Sequence, residues 1–398
     1  MNWGAPGAIS GKMGQAVKRA KNGAIMAVVG LSRRIGLPKR NLRASPKPSR
    51  FLIITTTGVG DTLWGTPAIK ALKEEDPGVN VGVLTNPAGG ELLKGNPYID
   101  ELFIFRRGFA GLFSLPALLK GLRRKNYDTA LIFHASDRIV WPVCFFAGPS
   151  EIIGIRGENK GLDFILTRVV DPPGNAHGIE KRFMLLGDMA PAEASRGISI
   201  YLDDKDRHAA DGFLKGHGFD ENTLLVGLHP GAQKPYKCWP IKNFIEAGNI
   251  ISRRTGCRII ITGDSNERPW IEEMASRIKG AVSAAGKTSL RQTAALIERM
   301  DLFITNDTGV MHIAAALKTP TVALFCPTDP RICGPYGAES VSVVAKPITC
   351  DPCTGKKCLD PLCMGQITVE EVVKAAEKLL GAGRSFQKNP NANGEGIC

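Results

Sequence analysis

The chain has 398 residues, of which 43% are hydrophobic and 22% charged. These values fit about two ordinary folded domains and exclude a disordered chain, a collagen-like chain and a small disulfide scaffold. The formal charge of +13 would suggest nucleic acid, but residues 1–50 hold eleven Lys and Arg and no acid. Taking 11 from 13 leaves +2 for the remaining 348 residues, so the basicity belongs to an appendage and argues against a nucleic-acid-binding body.

In the basic leader, residues 1–50, the longest apolar run is 24–31. A membrane span needs about 20 residues. A signal peptide is excluded because Arg33 and Arg34 follow the run and no small-residue cleavage site appears. Two readings stay open: a disordered, solvated leader, or an interfacial anchor that turns Ile25, Met26, Val28 and Val29 to lipid beside a polybasic face. Residues 43–50, with Pro46 and Pro48, read as a linker.

The body alternates strand and helix. The β-branched run 51–57 predicts a buried parallel strand, and a helical pattern through Ala68, Ile69, Ala71 and Leu72 stops at Asp76-Pro77-Gly78. Strands follow at 79–85, 99–105 and 129–134, with helices near 91–93 and 113–124. A second series starts near Leu224: strands at 224–230, 257–263, 301–307 and 321–327, and helices at 241–254, 267–279 and 309–317. Repeated β-α-β units imply parallel sheets covered on both faces, here as two Rossmann-like halves joined through an irregular stretch, 171–222. Ligands are expected in the crevice at the strands' carboxyl ends. The expected domains are 51–195 and 196–380, with a disordered tail at 381–398. The acids Asp203, Asp204 and Asp206 read as the solvated start of a helix.

The loop after the first strand resembles a dinucleotide fingerprint only in part, since Gly58 and Gly60 are followed by Leu63 where the third glycine belongs. The tight turn places Asp61 at a helix start, as an N-cap or as a general base facing the crevice. In the second half, 305–317 ends a strand in Asp307, then turns through Thr308 and Gly309 into a helix carrying His312. Free N–H groups, a hydroxyl and an imidazole there suit a diphosphate; the alternative makes Asp307 or Thr308 a cap and His312 a half-buried core residue. Lys237 can set a cation beside phosphate, and Trp239 reads as core. Glu267 is either a ribose-diol ligand or a helix-start charge.

Together, GDTLWGTPAIKAL (60–72), GNPYIDELF (95–103), KCWP (237–240), GKTSL (286–290) and NDTGVMHIAAAL (306–317) resemble glycosyltransferase family 9, the ADP-heptose:lipopolysaccharide heptosyltransferases. The resemblance spans 51 to about 380. It implies an α/β chain of the GT-B type, with two facing Rossmann-like domains and parallel sheets. It implies inverting transfer of heptose from ADP-heptose to the lipid-linked inner core of lipopolysaccharide, in the cytoplasm and peripherally on the inner face of the membrane. Asp61 aligns with the base that takes the acceptor proton, in an acceptor-side loop with Gly58, Gly60 and Thr62. Lys237 aligns with a lysine near the donor phosphates, Glu267 with a ribose-binding acid and Thr288 with a residue beside the adenine. Asp307, Thr308, Gly309 and His312 match the donor motif. The resemblance implies no cofactor and no metal.

Cys350, Cys353, Cys358 and Cys363 form C-x2-C-x4-C-x4-C before the last helix. Four thiolates this close are able to hold zinc or an iron–sulfur cluster, but with a single C-x2-C pair the reading preferred is reduced thiols. Expected partners are a nucleotide-sugar donor, a lipid-linked oligosaccharide acceptor and an anionic membrane surface, and no nucleic acid. The competing functions are transfer of another nucleotide sugar to a different surface glycan, and a non-catalytic membrane-associated relic.

Overall fold

A computed structural model describes residues 10–38, 48–220, 222–348, 350, 358 and 362–387. The leader's described part departs from the disordered reading: Ser10–Arg34 forms one helix, α1. It docks on the first half of the molecule. Val29 is fully buried in that half's core, with Ile25 packed beside it. The Asn22 amide donates to the Lys160 carbonyl at 2.8 Å and accepts from Arg138, while Arg33 donates to the Phe164 carbonyl and lies over the Phe145 ring. Ser32, at 9% exposure, closes the contact. Residues 39–47, most of the expected linker, lie outside the described residues.

The first half runs β1 (Arg50–Thr55), α2 (Val59–Leu63), α3 (Thr66–Glu75), β2 (Asn80–Thr85), α4 (Pro87–Leu93), β3 (Glu101–Ile104), α5 (Gly108–Arg124), β4 (Thr129–His134), α6 (Val140–Ala147), β5 (Glu151–Ile155), β6 (Arg168–Val170) and α7 (Gly178–Leu186). Local chemistry explains several boundaries. Pro67 sits in the first turn of α3, where its missing N–H costs nothing. Asn86 caps α4 by accepting from the Gly89 N–H at 2.8 Å. Gly148, left-handed at φ 87°, ends α6.

The second half runs α8 (Asp204–Gly216), β7 (Leu225–His229), α9 (Ile241–Thr255), β8 (Arg258–Ile261), α10 (Arg268–Ser276), β9 (Val282–Ser283), α11 (Leu290–Glu298), β10 (Leu302–Asn306), α12 (Gly309–Ala316), β11 (Thr321–Phe325), α13 (Pro330–Cys333), β12 (Val341–Ala345), α14 (Leu362–Gly365) and α15 (Val369–Gln387). The last helix continues across Gly381 to Gln387, which corrects the expected tail start; 388–398 lie outside the described residues.

The two sheets have the orders β3-β2-β1-β4-β5-β6 and β12-β11-β10-β7-β8-β9, with every pair parallel. Counted within its own half, each reads 3-2-1-4-5-6, the doubly wound order, with a crevice between β1 and β4 and another between β7 and β10. Both sheets are buried on two faces. Trp239, expected in the core, is fully buried, and its indole N–H donates to the Ile367 carbonyl at 2.8 Å.

The stretch expected to be irregular carries α7 and α8. Asp203 and Asp206 form a reciprocal capping box at the start of α8. Asp206 is 8% exposed, not solvated, because Arg291 of α11 reaches it at 2.8 Å. The same guanidinium donates to the carbonyls of Glu91 and Lys94 in the first half and of Tyr201 before α8. Arg291 therefore ties α4, α8 and α11 together. A second tie runs through His177, whose Nε2 lies 3.0 Å from the Gly334 carbonyl, and through Tyr336, whose hydroxyl donates to Glu180.

Candidate active site

The β1/β4 crevice places the first group of candidates. Gly58, extended, is the N-cap of α2 and makes no side-chain capping bond. Thr62 is buried and donates to the Gly58 carbonyl at 3.0 Å, which tightens the turn. Asp61 is not the cap. Its Oδ2 lies 3.4 Å from His134 Nδ1, and its Oδ1 lies 3.3 Å from Arg182 Nη2. His134 ends β4 beside Thr55 of β1, so the crossover in strand order delivers the imidazole to the carboxylate. Arg182, from α7, is 4% exposed, donates to the Gly178 carbonyl at 2.7 Å, and lies 5.3 Å over the Trp64 ring.

Burial alone would raise the Asp61 pKa. The His134 hydrogen bond and charge, followed by the Arg182 charge, outweigh it and hold the carboxyl at about 2. Asp61 is thus ionised throughout the physiological range.

The β7/β10 crevice places the second group. Asp307, 7% exposed, accepts hydrogen bonds from Lys237 and from the Thr328 hydroxyl. Asn306 accepts from the Trp239 N–H at 3.0 Å and donates to the Pro230 carbonyl at 2.8 Å. That amide fastens the 230–239 loop to the end of β10 and so sets where Lys237 stands. Thr308 is the extended N-cap of α12, and its side chain makes no capping bond. It opens instead into a cavity of about 410 Å³ shared with His229, Gln233, Glu267, Thr288 and Thr293. Burial raises the Glu267 pKa, and its Oε2 accepts the Asp264 N–H at 2.9 Å. Thr288 and Thr293 share a hydroxyl–hydroxyl bond of 2.8 Å.

His312 is expected beside the donor or as a half-buried core residue. It is 4% exposed, more deeply covered than a half-buried core residue, and it is absent from the cavity lining. Its Nδ1 accepts the Trp64 indole N–H at 3.3 Å, with the rings edge-on at 5.1 Å. Burial, partly opposed by the Asp307 charge, drops its pKa to about 4. The ring is therefore neutral, and with Nδ1 accepting, Nε2 carries the proton.

The two halves meet at this point. A Cβ on Gly60 would stand 2.6 Å from His312 Cδ2, and one on Gly309 would stand 2.6 Å from Val59 Cβ. No side chain fits at either position without displacing the buried His312 ring or Val59.

The structure thus brings Asp61 to one crevice, and Glu267, Thr288 and Thr308 to a cavity in the other, with Lys237 and Asp307 paired near the seam. Gly58, Gly60, Thr62 and Gly309 shape backbone. Sequence reasoning missed His134, Arg182, Trp64 and His177. Of these, His134 carried a usable signal, a titratable residue ending an apolar strand of a parallel sheet. Of the cysteines, Cys350 is exposed and Cys363 buried, while Cys353 lies outside the described residues. Among the described residues no group of three or more His, Cys, Asp or Glu gathers as metal ligands.

Comparison with known proteins agrees with this architecture. Residues 115–363 match the profile of Glycosyltransferase family 9 (heptosyltransferase). Lipopolysaccharide heptosyltransferase 3 of Escherichia coli K12 is 26% identical over 339 residues, covering 81% of this chain and 95% of that protein. Among solved structures, a glycosyl transferase family 9 protein from Veillonella parvula superposes with a TM-score of 0.75 at 22% identity, covering 84% of this chain and 98% of the other. The E. coli ADP-heptose LPS heptosyltransferase II superposes at 0.69, also at 22% identity, with 84% and 99% covered.

Proposed function

The chain belongs to glycosyltransferase family 9, the heptosyltransferases, and we propose that it moves heptose from ADP-heptose to the inner core of lipopolysaccharide, inverting the anomeric carbon. The observation that carries this reading is the pairing of two unlike crevices across one seam. An ionised carboxylate held between an imidazole and a guanidinium stands on one side. On the other, a polar cavity opens at the N-terminus of α12, beside Lys237 and Asp307.

In this reading ADP lies along the second crevice. Glu267 accepts from the ribose diol, and Thr288 lies beside the base. The diphosphate is met by the first N–H groups of α12 and by the Lys237 ammonium. As the bond from sugar to phosphate breaks, negative charge grows on the leaving oxygen, where the helix end and the cation already point. The acceptor hydroxyl approaches the opposite face of the anomeric carbon from the α2 side. Its proton departs toward the Asp61–His134 pair, which inversion by direct displacement requires.

The acceptor is a lipid, and the placement of α1 supports a membrane-facing enzyme. α1 and α5 both pack around α6. The α1 segment carries six basic residues and α5 three, with no acid in either. Met26, Val28, Leu31, Leu112 and Phe113 are exposed on them, Phe113 at 84%. Among the described residues no helix is long and apolar enough to cross a bilayer. A basic, apolar-studded surface of this kind rests on anionic lipid, each surface-bound Lys or Arg contributing about 1 kcal/mol.

The test is a donor screen with purified protein, using lipopolysaccharide that lacks heptose as acceptor. ADP-heptose is expected to release ADP, while UDP- and GDP-sugars release no nucleotide. Release from a UDP- or GDP-sugar alone would assign a different donor, and no release from any donor would remove the enzymatic reading.

A further inference from the structure

The proton-accepting atom of this site need not belong to the carboxylate, and the geometry gives it a second address. We propose that His134 is a catalytic residue: its Nε2 removes the acceptor hydroxyl's proton, and Asp61 holds its Nδ1–H and balances the imidazolium that forms. The inference rests on the glycosyl-transfer reading above.

Three observations carry it. First, the imidazole Nδ1 faces the carboxylate at an ion-pair distance of 3.4 Å, so a proton placed on Nδ1 toward the anion leaves the Nε2 lone pair. No protein partner for Nε2 occurs among the described residues, and the side chain is 38% exposed. Catalytic hydrogen bonds in ligand-free sites are often this long and tighten on binding. Second, both Asp61 oxygens are already engaged, Oδ2 by His134 and Oδ1 by the buried Arg182. A hydroxyl approaching the carboxylate would have to displace one of them. Third, a carboxylate so strongly stabilised in its charged form is a weak base.

The balance is simple. The acceptor oxygen forms its bond to the anomeric carbon as the bond from that carbon to phosphate breaks, and ADP leaves with the electron pair. The acceptor proton passes to His134 Nε2 and is later lost to water. Beyond Asp61 on α2, Arg182 of α7 pairs with the same carboxylate, and Arg107, Asp137 and Lys160 gather at the loop after β4.

The decisive measurement is the pH dependence of kcat/KM for ADP release from ADP-heptose, with heptose-free lipopolysaccharide as acceptor, in wild type, His134→Gln and Asp61→Asn. Wild type is expected to lose activity tenfold per pH unit below an apparent pKa in the histidine range. His134→Gln is expected to fall 10²–10⁴-fold, to lose that acid limb, and to bind ADP as wild type does. Asp61→Asn is expected to keep the limb, shifted to lower pH. A wild-type profile level down to pH 5, or His134→Gln within tenfold of wild type, would overturn the proposal and leave Asp61 as the base. An acid limb that persists in His134→Gln would also overturn it, since the titrating group would then lie elsewhere. A wild type that releases no ADP at any pH is a different failure, that of the glycosyl-transfer reading itself.

Discussion

At the scale of single residues, the site divides groups that meet charge from groups that only make room. Asp61→Asn removes the anion but keeps the shape, so ADP affinity should hold while kcat falls by at least 10²; isothermal titration beside steady-state rates separates the two. Lys237→Ala leaves Asp307 with one donor, Thr328, and takes a cation from the diphosphate. The expected outcome is a loss of ADP affinity of 10-fold or more, about 1.4 kcal/mol. The buried imidazoles set an acid limit. His229 and His312 are each pushed down to about 4 by burial, below the unfolded value of 6.5. Between pH 6.5 and 4 the unfolded chain therefore binds more protons, and stability falls as pH drops. The cost is about 3 kcal/mol for each ring over that window. Asp61 adds a loss of the same sign below pH 4, since its folded pKa of about 2 lies under the unfolded one. Chemical unfolding at pH 7.5, 6 and 5 checks this, and a level free energy would show that the rings are not buried neutral.

At the scale of elements, strand ends were readable and their neighbours were not. Asp61, Lys237, Glu267 and Asp307 follow or end β-branched runs, so the rule that ligands sit at strand carboxyl ends was enough to select them. His134 has the same position in β4, yet what matters about it is β4's place beside β1, which only the crossover order decides. Arg182 has no sequence signal, because its partner lies 121 residues away. The leader shows the limit of composition. Six bases and no acid read as a solvated segment, but one buried Val29 and a polar clasp through Asn22 and Arg33 dock α1 as a helix. Val29→Asp puts an unpaired charge into that core contact. It should free α1 for proteolysis while leaving the two Rossmann-like halves folded. Deleting residues 1–45 should abolish co-sedimentation with phosphatidylglycerol vesicles and leave ADP binding unchanged; persistent binding would move the lipid contact to α5 alone.

At the scale of the whole molecule, the two halves are held by an apolar cluster that joins Leu63 and Leu92 to Ile313 and Ala314, and by buried polar ties. Arg291 of α11 donates to one carboxylate, on α8, and to three carbonyls, those of Glu91 on α4, Lys94 just after it and Tyr201 before α8. Removing it strands Asp206 inside, which typically costs 3–5 kcal/mol. Arg291→Met should therefore lower the unfolding midpoint in urea sharply, and Arg291→Met with Asp206→Leu should recover much of the loss. The duplicated 3-2-1-4-5-6 order was foreseeable from the two β-α-β series, whereas this tie was not, because the acids 203–206 carry the same pattern whether a partner faces them or water does.

The contact of Gly60 with His312 and of Gly309 with Val59 has a practical reach. In a saturation screen scored by turnover, both glycines will rank with Asp61 as intolerant positions, although neither presents a functional group. Suppression would tell them apart: Val59→Gly, which removes the clashing Cβ, should restore Gly309→Ala, whereas no neighbouring substitution restores a missing carboxylate.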